Sequence, residues 1–189
     1  MKIVKSIRVN DFTLLEHFLK EIPDLKIISL FRDPRAVHLS QAQYFKMSNA
    51  TLLCTALNSC AVDAKRLLEK YPESFYLLRY EDFASHPWKV SQRLLDFLGL
   101  RANIKTDTFI HTHMTDVKGK SRGKNVFDTV MKSSAAVSNW RHRTRMPQVR
   151  NVQAQCQQAM RVLGYRKISS PKQLFNHGGY KVVVDMGTV

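Results

Sequence analysis

The sequence predicts an α/β fold: a parallel sheet flanked by helices, with ligand chemistry at the carboxyl ends of the strands. Three observations predict it. The first is Leu25 to Gln41, LKIISLFRDPRAVHLSQ, where a short apolar run breaks off in a charged turn, Arg32-Asp33-Pro34-Arg35, and resumes as a helical pattern. A buried strand feeding a loop and a helix has this shape. The second is Phe75 to Tyr80, FYLLRY, another apolar run of strand length. The third lies between them. Leu52, Leu53, Ala56, Leu57, Cys60, Ala64, Leu67, Leu68 and Tyr71 recur at three- and four-residue spacing up to Pro72, which describes one long amphipathic helix. Strand, helices, strand is a βαβ crossover, whose strands run parallel.

Residues 3 to 9 alternate weakly and are expected to form a short strand. Asp11 is a suitable N-cap for a helix through about Lys20, with Phe12, Leu15, Phe18 and Leu19 on its apolar face and Pro23 as its stop. The organising strand follows at 25 to 31. Pro34 suits the first turn of a helix, where its missing N–H costs nothing, and that helix runs towards Tyr44. Arg32 then sits at a strand's carboxyl end beside a helix N-terminus, both of which favour an anion, and Ser40 adds a hydroxyl along the same arc.

After the second strand, Glu81-Asp82 occupy its carboxyl end, where such a pair caps the next turn or pairs with arginine. Pro87 opens a helix with Trp88, Leu94, Leu95, Phe97 and Leu98 near its buried side, and Gly99 closes it. From Arg101 to about Ser133 the pattern weakens. His111 and His113 would share a face in a strand, but no third ligand accompanies them and no metal site is read there. Lys118, Lys120, Arg122 and Lys124 alternate with small residues in a cationic loop, which is either solvated or closes over a phosphate or acidic sugar. Ser133 or Ser134 caps a helix over Ala135 to Arg143. Pro147 opens the last helix, with Val149, Val152, Cys156, Ala159 or Met160, and Leu163 on one face and Gly164 as stop. Residues 1–166 form the domain and 167–189 read as a tail, in which Lys181 to Asp185 has the pattern of an edge strand.

With 189 residues, 44% of them apolar, the chain suffices for one domain with a core. A net charge of +15 points to an anionic cofactor, a polyanionic partner or a broadly solvated basic surface. No apolar run reaches the roughly 20 residues of a membrane span, and MKIVKSIRVND lacks the core of a signal peptide. Cys54, Cys60 and Cys156 lack zinc-site spacing, and their disulfide state is left open; one stays free if two pair. Asn49-Ala50-Thr51 is a glycosylation triplet of a kind that also arises by chance.

The stretch RDPRAV with Ser40 shortly after it resembles the 3′-phosphate-binding segment of the Golgi carbohydrate sulfotransferases. Phe75 to Leu100, FYLLRYEDFASHPWKVSQRLLDFLGL, is similar to the same family, as is the order Ser133-Ser134, Trp140-Arg141, Cys156, Leu163-Gly164-Tyr165. The resemblance covers most of Lys2 to Tyr165, with gaps at the basic loop. One departure is Lys132, which stands where many members carry a basic residue before the serines and which lacks arginine's planar fork.

The resemblance implies a P-loop-NTPase-like sulfotransferase fold. It implies transfer of a sulfuryl group from 3′-phosphoadenosine 5′-phosphosulfate (PAPS) to a hydroxyl of a glycan or glycoprotein, without a metal, in the Golgi lumen. Arg32 and Ser40 would hold the cofactor's 3′-phosphate. Tyr80 would approach the adenine, or else is a core aromatic at a strand end. The family's glycine- and serine-rich loop for the 5′-phosphosulfate would fall before residue 1, so the chain is expected to be the C-terminal portion of such an enzyme, incomplete at its N-terminus. No catalytic base is named. The basic loop and the arginines at 141, 143, 145 and 150 would attract an acidic or already sulfated acceptor. The other function class is a non-catalytic basic module that binds polyanions, glycosaminoglycan or nucleic acid, its basic residues clustering between 118 and 167 as in a groove. Nucleic acid is not expected, because no aromatic residues are interleaved with the bases.

Overall fold

Two strands, β1 (Ile27–Phe31) and β2 (Phe75–Arg79), pair in parallel, with Ile27 opposite Phe75 and Phe31 opposite Arg79. The structure is a computed structural model that describes residues 2–7, 9–46, 49–114 and 137–176. The crossover between the strands holds α2 (Pro34–Phe45) and α3 (Ala50–Lys70), and α1 (Thr13–Glu21) precedes β1. After β2 come α4 (Tyr80–Ser85), α5 (Pro87–Phe97) and α6 (Ile104–Met114). A 3₁₀ turn (Asn139–Arg143), α7 (Met146–Gln155), α8 (Gln157–Val162) and α9 (Pro171–Phe175) complete the described elements.

Side chains alternate across a strand, so each strand divides between two faces. Phe31 and Phe75 enter the main core with Phe12 of the segment leading into α1, whose ring centroid lies 6.1 Å and 6.4 Å from theirs. Cys60, Ala61, Ala64 and Leu67 of α3 line this core from above, and Val152, Ala159, Met160 and Leu163 of α7 and α8 close it. Ala61 and Ala64 are wholly buried, and their small side chains let neighbouring backbone come close. On the opposite face α5 covers β2, with the Tyr76 and Phe97 rings 5.2 Å apart, while Ile28 and Leu30 of β1 remain exposed. A helix therefore lies on each face of the sheet. A second cluster joins Ala36 of α2 to Trp140, Val149, Ile168 and Leu174.

Cys54 and Cys156 form a disulfide between α3 and the junction of α7 with α8, and Cys60 is free and buried. The last helix is not continuous as its pattern predicts but breaks at Cys156. Asn58 of α3 satisfies the backbone freed by the break: its Nδ2 donates to the Gln155 carbonyl and its Oδ1 accepts from Ala159 N–H, at 2.9 Å and 2.8 Å.

Other differences from the sequence reading have local causes. Residues 3–7 form no strand and are exposed, and among the described residues no strand lies beside them to pair with. Asp11 acts one step outside the expected position, its carboxylate accepting from Thr13 N–H at 2.9 Å, and Phe18 is exposed. His111 and His113 lie on α6, where residues two apart point to different sides rather than to one face. Residues expected in a tail are packed: Ile168 and Leu174 are buried, and α9 sits against Trp140. The basic loop from Lys118 to Lys124, Lys132, Ser133, Ser134 and Lys181 to Asp185 lie outside the described residues. Among the described residues no helix is long and apolar enough to cross a membrane.

Candidate functional site at the carboxyl ends of the strands

Both strands end in a charged turn, and the two turns are joined. Asp33 caps α2 through its side chain, which accepts from Arg35 N–H at 2.9 Å. The same carboxylate takes Arg35 Nε on one oxygen at 2.9 Å and Arg35 Nη2 on the other at 2.7 Å, with both side chains essentially inaccessible. Arg35 Nη1 donates onward to Gln153 Oε1 and to the Arg166 carbonyl, and the guanidinium lies 5.2 Å from the centre of the Trp140 ring. Buried charges persist only when paired and hydrogen-bonded, and this pair is both.

The consequence falls on Arg32. Within Arg-Asp-Pro-Arg the second arginine consumes the aspartate, which leaves Arg32 as the cation in excess. Arg32 is half-buried, its guanidinium stacked on Tyr80 at 4.4 Å from the ring centre. Its Nε is buried and meets no hydrogen-bond acceptor among the described residues. A buried donor left without a partner is costly unless a ligand supplies one.

Glu81, in the first turn of α4 just after β2, binds the two strand ends together. Its Oε1 accepts Asp33 N–H at 3.0 Å and its Oε2 accepts the Tyr165 hydroxyl at 2.7 Å. Burial pushes the Glu81 carboxyl above the usual carboxylate range and the nearby Asp33 charge adds to the rise, while the two hydrogen bonds oppose it. Burial, more than the neighbouring Glu81 and Asp33 charges, holds the Tyr165 phenol well above its ordinary value. Asp82 pairs instead with Arg79, whose Nε lies 2.6 Å from Oδ2 and whose Nη1 donates to the Leu163 carbonyl. Of the two options read for Glu81-Asp82, Asp82 takes the pairing with arginine, whereas Glu81 holds the earlier turn at Asp33 rather than capping the turn that follows it.

Of the three predicted site residues, Arg32 and Tyr80 are in contact. Ser40 is half-buried on α2, six residues beyond Pro34 and hence about 9 Å along the helix axis from its start. Tyr80 opens α4, is partly buried, and has one ring face covered by Arg32; burial raises its phenol pKa. The arginines expected to attract an acidic acceptor differ in environment. Arg141 is buried and donates to the carbonyls of Leu174 and Gln173, Arg143 donates to Gln43, and Arg145 and Arg150 are exposed. Glu81, Tyr165 and Gln153 were missed as site residues. The charged dipeptide after β2 was a signal for Glu81, but its partner lies 48 positions away and no local pattern reports it.

Comparison with known proteins places the chain. The sulfotransferase domain family matches residues 9–164. Carbohydrate sulfotransferase 5 of Mus musculus is 30% identical over 193 residues, covering 89% of this chain and 49% of that protein. Carbohydrate sulfotransferase 1 of Mus musculus is 26% identical, covering 92% of this chain and 47% of its own length, and carbohydrate sulfotransferase 6 of Homo sapiens is 28% identical, covering 92% and 50%. The chain thus spans about half the length of the curated relatives it matches. No solved structure matches it. With its charged strand-end turns joined as described and the match running through nearly all of the described sheet and helices, the chain belongs to the sulfotransferase domain family.

Proposed function

We propose that this chain holds the 3′-phosphate of PAPS for transfer of its sulfuryl group to a glycan hydroxyl. The single observation that carries the reading is Arg32: a strand-end guanidinium whose Nε is buried without an acceptor among the described residues, beside a helix N-terminus. The Asp33 charge, which would otherwise repel a phosphate, is already held by Arg35 on both oxygens. The residues present therefore fit the cofactor's 3′ end.

In this reading Arg32 binds the 3′-phosphate and Ser40 donates a second hydrogen bond from α2. Tyr80 fixes the plane of the Arg32 guanidinium with one ring face and offers the other to the adenine. Glu81 and Arg35 keep the turn in place without touching the ligand. Bound PAPS supplies the activated sulfuryl group. The names of the relatives support a carbohydrate acceptor. The Cys54–Cys156 disulfide supports residence in an oxidising lumen, in keeping with the Golgi.

Calorimetric titration with 3′-phosphoadenosine 5′-phosphate, against adenosine 5′-phosphate, tests the proposal. Selective binding of the 3′-phosphorylated nucleotide that disappears in Arg32→Ala upholds it. Equal affinity for both nucleotides in folded protein overturns it and favours a polyanion-binding role, for which the net charge of +15 is the supporting observation.

A further inference from the structure

The triplet Asn49-Ala50-Thr51 takes no part in the site described above. It is the only Asn-X-Ser/Thr sequence in the chain, and its middle residue is not proline. Asn49 and Thr51 are both exposed. Asn49 is the N-cap of α3, in extended backbone with φ −81° and ψ 97°, and its Oδ1 accepts from Leu52 N–H at 3.0 Å. The cap engages only the amide oxygen. The amide nitrogen, the atom that N-glycosylation uses, is left out of the bond.

An exposed triplet alone decides nothing, since such triplets occur by chance. The disulfide adds an independent observation. Cys54 lies one helical turn beyond Thr51 and is bonded to Cys156, a bond that forms and persists in the secretory lumen and is rare in reducing compartments. That lumen is where oligosaccharide is transferred to asparagine. We infer that Asn49 carries an N-linked oligosaccharide. The inference rests on the lumenal residence proposed above.

The step balances with a lipid-linked oligosaccharyl pyrophosphate as donor. The Asn49 amide nitrogen bonds to the anomeric carbon, and the bond from that carbon to the pyrophosphate oxygen breaks. The lipid pyrophosphate leaves with the electron pair, and the amide proton passes to a base of the transferase. The product keeps its amide oxygen, so the cap on Leu52 survives modification. Position also favours the site. Asn49 follows the far end of α2, whose 12 residues span about 18 Å, so a glycan there stands away from the turn that holds Arg32.

The test expresses the full chain in cultured animal cells behind a cleavable secretion leader, then treats it with peptide N-glycosidase and compares electrophoretic mobility with and without reductant. The expected result is a single downward mobility step, with aspartate appearing at position 49 in the peptide mass spectrum. Asn49→Asp and Thr51→Ala abolish the step, and Thr51→Ser keeps it. Aspartate retains the capping oxygen, so loss of the step in Asn49→Asp is not a folding failure. Absence of the step in wild-type material that carries the Cys54–Cys156 bond overturns the inference. A step that appears with the added leader but not in the chain expressed from its natural full-length transcript overturns instead the lumenal reading, and with it the natural occupancy of a competent site.

Discussion

Glu81 accepts the backbone N–H of Asp33 at 3.0 Å, so the turn after β2 holds the turn after β1 in register. Asp33 and Glu81 are both buried, and each carries a neighbour that faces the candidate site: Arg32 precedes Asp33, and Tyr80 precedes Glu81. The contact between Arg32 and Tyr80 is therefore set by a hydrogen bond one residue away on each side. Four predictions follow from this arrangement and from the disulfide behind it.

Removing the Arg32 guanidinium should cost binding without unfolding the chain. Hydrogen bonds to charged groups are worth about 1.5–3 kcal/mol, so Arg32→Ala should weaken 3′-phosphorylated nucleotide roughly ten- to 150-fold. Arg32→Lys should fall between, because lysine keeps the charge and loses the planar fork. Ser40→Ala should cost less, about 0.5–1.5 kcal/mol. Calorimetry measures all three, and an unchanged affinity in Arg32→Ala would remove Arg32 from the site.

Arg35 should behave in the opposite way. Arg35→Ala strands a fully buried Asp33 carboxylate, and breaking such a pair costs about 3–5 kcal/mol. For a chain of this size the melting temperature should drop by roughly 6–20 °C. Adding Asp33→Asn should recover part of the loss, because the unpaired charge is then gone. Thermal melts of the single and double variants decide it; additive losses would contradict the pairing.

Glu81 should leave a signature in the pH dependence of stability. Its folded pKa lies above its unfolded value, so its contribution is complete below the ordinary carboxylate range and is lost as pH rises through the raised pKa. Glu81→Gln keeps an oxygen for Asp33 N–H and offers its amide N–H to the Tyr165 oxygen. Denaturant titrations across pH should therefore show a flatter profile in Glu81→Gln than in wild type. Parallel profiles would mean that the carboxyl does not titrate with folding.

Opening the disulfide should destabilise the fold broadly. Cys54 and Cys156 are 102 residues apart, and bridges of this kind contribute about 2–5 kcal/mol. The double variant Cys54→Ser, Cys156→Ser should have its unfolding free energy lowered by that amount in denaturant titrations, with a correspondingly lower midpoint. Wild type measured in reductant should coincide with it.

Much of the frame was legible in the sequence because it depends on local pattern. The runs at 25–31 and 75–80 gave β1 and β2 within two residues, the spacing from Leu52 to Tyr71 gave α3, and their order gave the parallel pairing. The resemblance carried by RDPRAV and RYED is borne out by the family match. Other features depend on distant partners. Two arginines flank Asp33 in sequence, and only the fold chooses Arg35, because Gln153 and the Arg166 carbonyl wait for its other donors. Arg141 looked like a surface cation until the carbonyls of α9 took its hydrogen bonds. The alternation at residues 3–9 has the period of a strand, but residues 3–7 find no pairing neighbour among the described residues, and periodicity alone does not supply one.

The bond between Cys54 and Cys156 also changes what a broken chain would be. A peptide bond cut between Cys54 and Cys156, which are 102 positions apart, leaves one covalent body; a cut between α3 and α7 puts β1, α2 and α3 on one piece and α7 and α8 on the other. The core shared by α3, α7 and α8 would hold those pieces face to face as well. Nicked molecules would run with intact ones on a non-reducing gel and separate only after reduction. For this chain an apparently single band is thus evidence of integrity only in the presence of a reductant.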